Sequence, residues 1–408
     1  MATVVLLGTL DTKGREYAFL RDEIRANSDC DVLMVDAGVL GEPRTGADIS
    51  RDEVAAAAGT TIAGLAAAND RGAAVAAMAE GAARIVTQLF EEGRLQGILG
   101  LGGSGGSSLV THAMRALPVG VPKLMVSTVA SGDTRPYVGA LDITMMYSVV
   151  DIEGINQVSR RIMGNAAGAI AGMAAAYARP HATTEERPLI GATMFGVTTP
   201  SVTHAREVLE SQGYEVLVFH ATGAGGQSME ALAEGGFLAG VLDITTTEMA
   251  DELVGGIFSA GPDRLETAGW NGIPQVVSLG ALDMVNFGPR NSVPEKFEGR
   301  NLYVHNPTIT LMRTTPEECA ELGRQIARKL SAATGPVALF IPRGGVSAIA
   351  TEGGVFHDPA ADAALIDTLL AELGDNVEVH DLEYDINDER FSTAMATRLA
   401  EMVTESRG

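Results

Sequence analysis

The chain predicts an α/β fold: two doubly wound, mostly parallel-sheet (Rossmann-like) domains with an inter-domain cleft. Short apolar runs alternate with longer helical patterns along all 408 residues, the order expected of successive βα units. That length exceeds one ordinary domain. The two halves also overlay: 4–12 on 192–199, 32–38 on 216–222, and 97–101 on 240–244 share hydrophobic pattern and polar strand ends, as a duplicated domain would.

In the first half the strands read 4–8, 32–36, 98–102 and 123–127. The chain enters the first of them directly, without the basic segment of a signal peptide. Helical patterns occupy 14–27, 51–93 with a break near 69–72, and 107–117. Ser50-Arg51-Asp52-Glu53 is a capping box that starts the second of these. The Ala/Gly-rich stretch 164–178 follows Arg160 and Arg161 and is short for a bilayer span, so a tightly packed helix is expected there. The polar segment Arg179-Pro180-His181-Ala182-Thr183-Thr184-Glu185-Glu186-Arg187-Pro188 reads as a linker, dividing the chain into domains 1–182 and 183–408. Strands at 189–195, 215–220, 240–244 and 275–279 follow, then 337–341 and 377–382. Thr315-Pro316-Glu317-Glu318 is a helix start.

Composition narrows the partners. With 52 acidic against 29 basic residues the formal charge is -23, so no broad basic field exists for nucleic acid or an acidic membrane. A phosphorylated ligand would have to be held by local backbone donors and a few cations. Cys30 and Cys319 stand alone, far apart and without metal-ligand spacing, which predicts buried thiols in a reducing, cytoplasmic setting.

The most informative segment follows the third strand. Gly102-Gly103-Ser104-Gly105-Gly106-Ser107-Ser108 holds four glycines and three serines where a strand passes into a helix. Free amides and the positive end of a helix dipole meet there, and missing side chains let an anion approach the backbone. A close-packed turn is the plainer reading, but it needs fewer glycines. Open parallel sheets bind ligands at the carboxyl ends of their strands where strand order reverses. For the order 2-1-3-4 that point lies between this loop and Thr9-Leu10-Asp11-Thr12-Lys13-Gly14. Lys13 is then the cation beside a phosphate, and Asp11 and Thr12 either fix magnesium or ligand hydroxyls or simply cap a helix. Ser127 and Thr128 after the fourth strand, and Asp36 after the second, are candidate phosphate, ribose or metal contacts. The metal ligands themselves are left undefined.

The second half lacks these glycines: Thr245-Thr246-Thr247-Glu248 stands in their place, so one nucleotide site per chain is expected. Its own polar residues, His220, Asn286, Arg290, His305 and Asn306, follow strand-like runs, and Ile341-Pro342-Arg343-Gly344-Gly345-Val346-Ser347 forms a basic glycine turn. His220 and His305 are candidate acid/base groups and Arg343 a candidate anchor for a small acid. Each also has a plain structural reading as a hydrogen-bonded strand-end residue.

Gly8-Thr9-Leu10-Asp11-Thr12-Lys13-Gly14-Arg15-Glu16, Asp36-Ala37-Gly38, Leu101-Gly102-Gly103-Ser104-Gly105-Gly106, Ser127-Thr128-Val129-Ala130-Ser131-Gly132 and Ile341-Pro342-Arg343-Gly344-Gly345-Val346-Ser347 occur in order along the chain. In these motifs the sequence resembles bacterial and fungal proteins similar to the N-terminal ATP-binding domain of the tomato tobamovirus-resistance protein. The resemblance implies two α/β subdomains, ATP with Mg2+ bound mainly by the first, and a homodimer. It carries the nucleotide role onto Asp11, Thr12, Lys13, Gly102, Gly103, Ser104, Gly105, Gly106 and Ser107, with Ser127 and Thr128 beside them. It supplies no reaction, and antiviral function is not transferred. Three functions are therefore carried forward: ATP-dependent phosphoryl transfer to, or activation of, a small acid; a non-catalytic ATP-responsive sensor; and a nucleotide-independent lyase or hydrolase using His220 or His305.

Overall fold

The computed structural model describes residues 1–179 and 187–407. They fall into two units, Met1–Thr183 and Thr184–Gly408. The predicted junction at 182/183 lies outside the described residues.

In the first unit, β1 (Thr3–Gly8), α1 (Leu10–Asn27) and β2 (Asp31–Asp36) are followed by three helices, α2 (Arg51–Ala57), α3 (Ile62–Ala68) and α4 (Arg71–Glu91). Next come β3 (Gly97–Gly102), α5 (Ser104–Arg115), β4 (Lys123–Ser127), α6 (Arg135–Val138), β5 (Ile143–Tyr147) and α7 (Gln157–Tyr177). All strand pairs are parallel, in the order β2-β1-β3-β4-β5. Alternation along β1 sends Val5 and Leu7 to one apolar layer with α2, α4 and α5, and Val4 and Leu6 to another with α1 and α7. That two-sided burial is why the strands read as continuous apolar runs.

The long helical pattern breaks twice. Ser50 forms the expected capping box with Glu53, Thr61 caps α3, and Asp70 caps α4. Helices α1 and α5 begin four and three residues before their predicted starts, so part of each predicted loop is the first turn of a helix. The stretch 164–178 lies mostly within α7, whose Ala166, Ala167, Ile170, Ala171 and Ala174 are buried. Among the described residues no helix is long and apolar enough to cross a membrane. Strand β5 was not foreseen, because it is a half-exposed edge without a continuous apolar run.

The second unit contains β6 (Leu189–Met194), α8 (Thr199–Ser211), β7 (Glu215–His220), α9 (Ala224–Glu234), β8 (Leu238–Thr245), α10 (Thr247–Val254), α11 (Thr267–Trp270) and β9 (Gln275–Gly280). An antiparallel insert follows, β10 (Met284–Phe287), β11 (Leu302–Asn306) and β12 (Ile309–Arg313), paired β10-β12-β11. The chain then returns to the parallel plan with α12 (Pro316–Ser331), β13 (Val337–Pro342), α13 (Pro359–Glu372), β14 (Val377–Leu382) and α14 (Glu389–Arg407). The main sheet has the order β14-β13-β9-β8-β6-β7. The insert escaped the sequence reading because its strands are four or five residues long and β11 is largely exposed. Thr315 caps α12 through the predicted box with Glu318.

Candidate functional site

The crevice of the first unit begins where β1 and β3 part. Their ladder covers only Val4 to Leu6 against Gly97 to Leu99. One step further the Tyr17 hydroxyl donates to the Leu7 carbonyl at 2.5 Å and accepts the Leu101 amide at 2.9 Å. A phenol from α1 thus stands between the strands in place of ladder bonds. Burial pushes its pKa up, which keeps the donor proton in place. Gly8 is required beside it, since a Cβ there would fall 1.9 Å from the hydroxyl.

Above this floor lies a cavity of about 620 Å³. Thr9, Asp11, Thr12 and Lys13 line it from the start of α1, Gly102 to Gly106 from the loop and first turn after β3, and Asn69, Asp70 and Arg71 from the joint of α3 and α4. The remaining wall is apolar, with Val39, Leu40, Leu65, Val75, Met78 and Leu109. A ligand with one charged and one flat apolar part matches such a lining.

The charged end has a physical cause. Helix α5 is capped by Gly103, which has no side chain to accept an amide. The Ser107 amide reaches the Gly103 carbonyl at 2.8 Å, while those of Ser104, Gly105 and Gly106 precede the first intrahelical bond. Closeness of approach, not an unusual backbone angle, explains Gly102: a Cβ there would sit 3.0 Å from the Cα of Gly106. At Gly105 a Cβ would meet only Arg71 Nη2, at 3.9 Å. Packing therefore does not demand glycine at 105, and its absent side chain simply enlarges the cavity.

The two predicted carboxylates are largely occupied by backbone. Asp11 is buried, and its Oδ2 accepts the amides of Leu40 (2.7 Å) and Gly41 (3.3 Å). Asp36 Oδ1 accepts those of Leu10 (3.0 Å) and Gly38 (2.9 Å), and burial raises its pKa. Together they brace the loop 37–41 against the start of α1. Asp11 still borders the cavity, but Asp36 lies beneath it, so the expected ribose or metal contact by Asp36 is corrected to a structural one. Asp11 Oδ1 and Asp36 Oδ2 are buried without a partner.

Thr12 Oγ1 lies 2.8 Å from Thr9 Oγ1. Lys13 donates to the Ile152 carbonyl, so it is a tether as well as a lining cation. Ser107 and Ser127 are fully buried with their hydroxyls 2.6 Å apart, and the Thr128 amide donates to the Gly102 carbonyl at 3.2 Å. These three residues hold the end of β4 to the glycine loop from behind and do not line the cavity. The expected phosphate contact is corrected for the Ser107 and Ser127 hydroxyls, which are buried on each other; the Thr128 hydroxyl is half-buried beside Gly103.

Sequence reasoning missed Arg71. It is exposed, borders the cavity, and has no ion pair with the described residues. Its signal was available in Asn69-Asp70-Arg71-Gly72, the predicted helix break. Asn69 adopts the left-handed conformation (φ 49°) that asparagine tolerates, and Asp70 then accepts the Ala73 amide at 3.0 Å to start α4. That turn delivers Arg71 to the cavity.

In the second unit the predicted catalytic residues occupy separate elements. His220 ends edge strand β7, with its ring edge-on to Phe195 at 5.4 Å. His305 lies on exposed β11 of the antiparallel insert, 6.4 Å from the Tyr303 ring. Arg343 is held by Asp381 through two bonds of 2.7 Å. Asn286 is buried against Asp251, Arg290 pairs with Glu298, and Asn306 closes a turn with Thr308. Where the glycine loop would be, Thr245, Thr246, Thr247 and Glu248 are all fully buried. Arg264, also fully buried, binds Asp243 at 2.6 and 2.7 Å, Glu248 at 2.7 Å and Glu230 at 3.2 Å. Cys30 and Cys319 are both buried free thiols.

Comparison with known proteins follows this division. Residues 2–179 match the N-terminal domain, and 187–403 the C-terminal domain, of the uncharacterised protein family UPF0261. A UPF0261 protein of Clostridium tetani (strain Massachusetts / E88) is 54% identical over 401 residues, 98% of each chain. The ToMV resistance protein Tm-1(GCR237) of Solanum lycopersicum is 41% identical over 424 residues, covering 99% of this chain and 56% of that one. Among solved structures, a Staphylococcus aureus MnaA–UDP complex aligns over 92% of this chain and 93% of its own at 9% identity. Its TM-score is 0.23, a likeness too slight to carry an argument. By both domain matches and by relatives aligned over nearly its whole length, the chain belongs to the UPF0261 family.

Proposed function

We propose that this chain is an ATP-binding protein whose first unit holds the nucleotide in the cavity between α1, α4 and α5. The observation that carries the reading is the uncapped, glycine-built start of α5 opening onto a cavity whose opposite wall is apolar. Backbone amides and the dipole of a twelve-residue helix suit a phosphoryl group, and Val75, Met78 and Leu109 suit the face of a base. Magnesium would arrive with the phosphates and find the hydroxyls of Thr9 and Thr12 nearby. Asp11 is a poorer ligand because Leu40 and Gly41 already use one of its oxygens.

A sensor fits better than a phosphoryl-transfer enzyme. Among the described residues the two carboxylates bordering the cavity, Asp11 and Asp70, both accept backbone amides, and no histidine lines it. Arg343, the anchor expected for a small acid, is already paired with Asp381. In this reading ATP shifts the assembly state of a homodimer without being consumed. Titration calorimetry on the whole chain with ATP and Mg2+ tests it, alongside sedimentation with and without nucleotide. Binding tighter than about 1 mM, without steady ADP release, is expected. Weaker binding removes the ATP reading, and sustained ADP release with an added small acid restores the enzyme.

A further inference from the structure

Each unit brings a guanidinium to the first turn of the helix that follows its third strand, but only the second supplies the anion. Overlaying 97–101 on 240–244 sets Gly105 against Glu248. Both follow the third strand of their unit and lie in the first turn of the next helix, α5 or α10. In the second unit Glu248 Oε1 accepts the amides of Gly223 (2.7 Å) and Gly226 (3.1 Å) at the start of α9, and Oε2 accepts Arg264 Nε at 2.7 Å. Helix-start amides and an arginine thus enclose an internal carboxylate.

In the first unit the helix preceding the third strand is α4, and Arg71 is its first residue. Its Nη2 lies 3.9 Å from the point where a Cβ on Gly105 would stand. Helix-start amides, here of α5 and not of the helix before the third strand, are adjacent to a guanidinium, and no carboxylate of the described residues pairs with it. Arg71 comes from a different element than Arg264, so the likeness is of chemistry and position, not of descent.

We infer that Arg71, with the amides at the start of α5, forms the phosphoryl subsite of the cavity, where the ligand's anion takes the place that Glu248 fills in the second unit. This rests on the nucleotide reading above and makes Arg71, ahead of the tethered Lys13, its charge-reading residue. The planar fork of arginine suits two oxygens of one phosphoryl group.

The test is calorimetric titration of the full chain with ATP–Mg2+ and with adenosine. Arg71→Ala is expected to weaken ATP about ten-fold or more while leaving adenosine unchanged. Arg71→Lys is expected to recover part of the loss. Gly105→Glu is expected to abolish ATP binding by supplying the missing carboxylate, without lowering the thermal midpoint. ATP binding by Arg71→Ala within about two-fold of the unsubstituted chain overturns the assignment, as does full ATP binding by Gly105→Glu. Absence of ATP binding in the unsubstituted chain overturns the nucleotide reading itself, so the two failures are told apart.

Discussion

The two crevices are variants of one design, and they differ in who supplies the negative charge. In the first unit the turn after β3 is glycine, the helix start is uncapped, and Arg71 has no carboxylate among the described residues. In the second, β8 passes into α10 through Thr245, Thr246, Thr247 and Glu248, and Glu248 takes the Gly223 and Gly226 amides at the start of α9 together with Arg264. The second unit also closes its crevice with the loop after β13. Ser347 is fully buried, and its hydroxyl donates to Asp283 at 2.8 Å. On the nucleotide reading proposed above, side chains placed where the first unit has glycines fill the second crevice from within.

The largest expected effect comes from breaking the internal pair. Arg264→Met leaves Asp243, Glu248 and Glu230 without their common cation in a buried place, and should cost about 3–5 kcal/mol. Urea unfolding of the second unit reads this directly. A loss below about 1 kcal/mol, the range of exposed pairs, would mean that the carboxylates find other partners.

The next comparison converts the first crevice toward the second. Gly103 has φ -81° and ψ -161°, which any residue adopts, and a Cβ there would meet Thr128 Oγ1 at an ordinary 3.6 Å. Gly103→Asp should cap α5 and stabilise the chain by a few tenths of a kcal/mol. The same carboxylate would repel phosphate, weakening ATP by about a hundred-fold. Gain in thermal midpoint with loss of ligand is the signature. Unchanged affinity would move the anion site elsewhere.

The smallest of the three effects concerns the plug of the second crevice. Burial raises the Asp283 pKa to about 6, above its value of about 3.9 in an unfolded chain. The folded state therefore holds this proton more tightly, and the resulting stability is present below about pH 4 and lost as pH rises through about 6. Relative to Asp283→Asn, the unsubstituted chain should lose on the order of 2 kcal/mol between pH 4 and 7. Parallel stability profiles for the two would remove Asp283 as the titrating group.

Much of this is legible in the residue pattern. The strand order, the capping boxes at Ser50 and Thr315, and the meeting of 9–13 with 102–106 at one crevice follow from hydrophobic period, cap chemistry and the switch-point rule. The unforeseen parts have particular causes. Edge strands β5 and β11 bury too few side chains to leave an apolar run. Asp36, Ser127 and Thr128 at strand ends and Ser107 in the first turn of α5 are polar residues of the right type, but their type does not say whether they face a ligand or brace the loops behind it. Arg71 lay hidden in a helix break because nothing local marks an arginine as unpaired. Only the packing of α4 against α5 brings it to Gly105.

Tyr17 has a consequence for how this site can change over time. The parting of β1 and β3 is spanned by one rigid ring ending in a hydroxyl, seated against a glycine with no room to spare. Such a spacer has a single length, and no other side chain offers the same reach with the same donor and acceptor. The second unit spans its own parting with the short hydroxyls of Thr193 and Thr245. The gauge of the first opening is thus quantised by one amino acid, and relatives that adapt to different ligands should vary the apolar helical wall while the sheet beneath keeps its width.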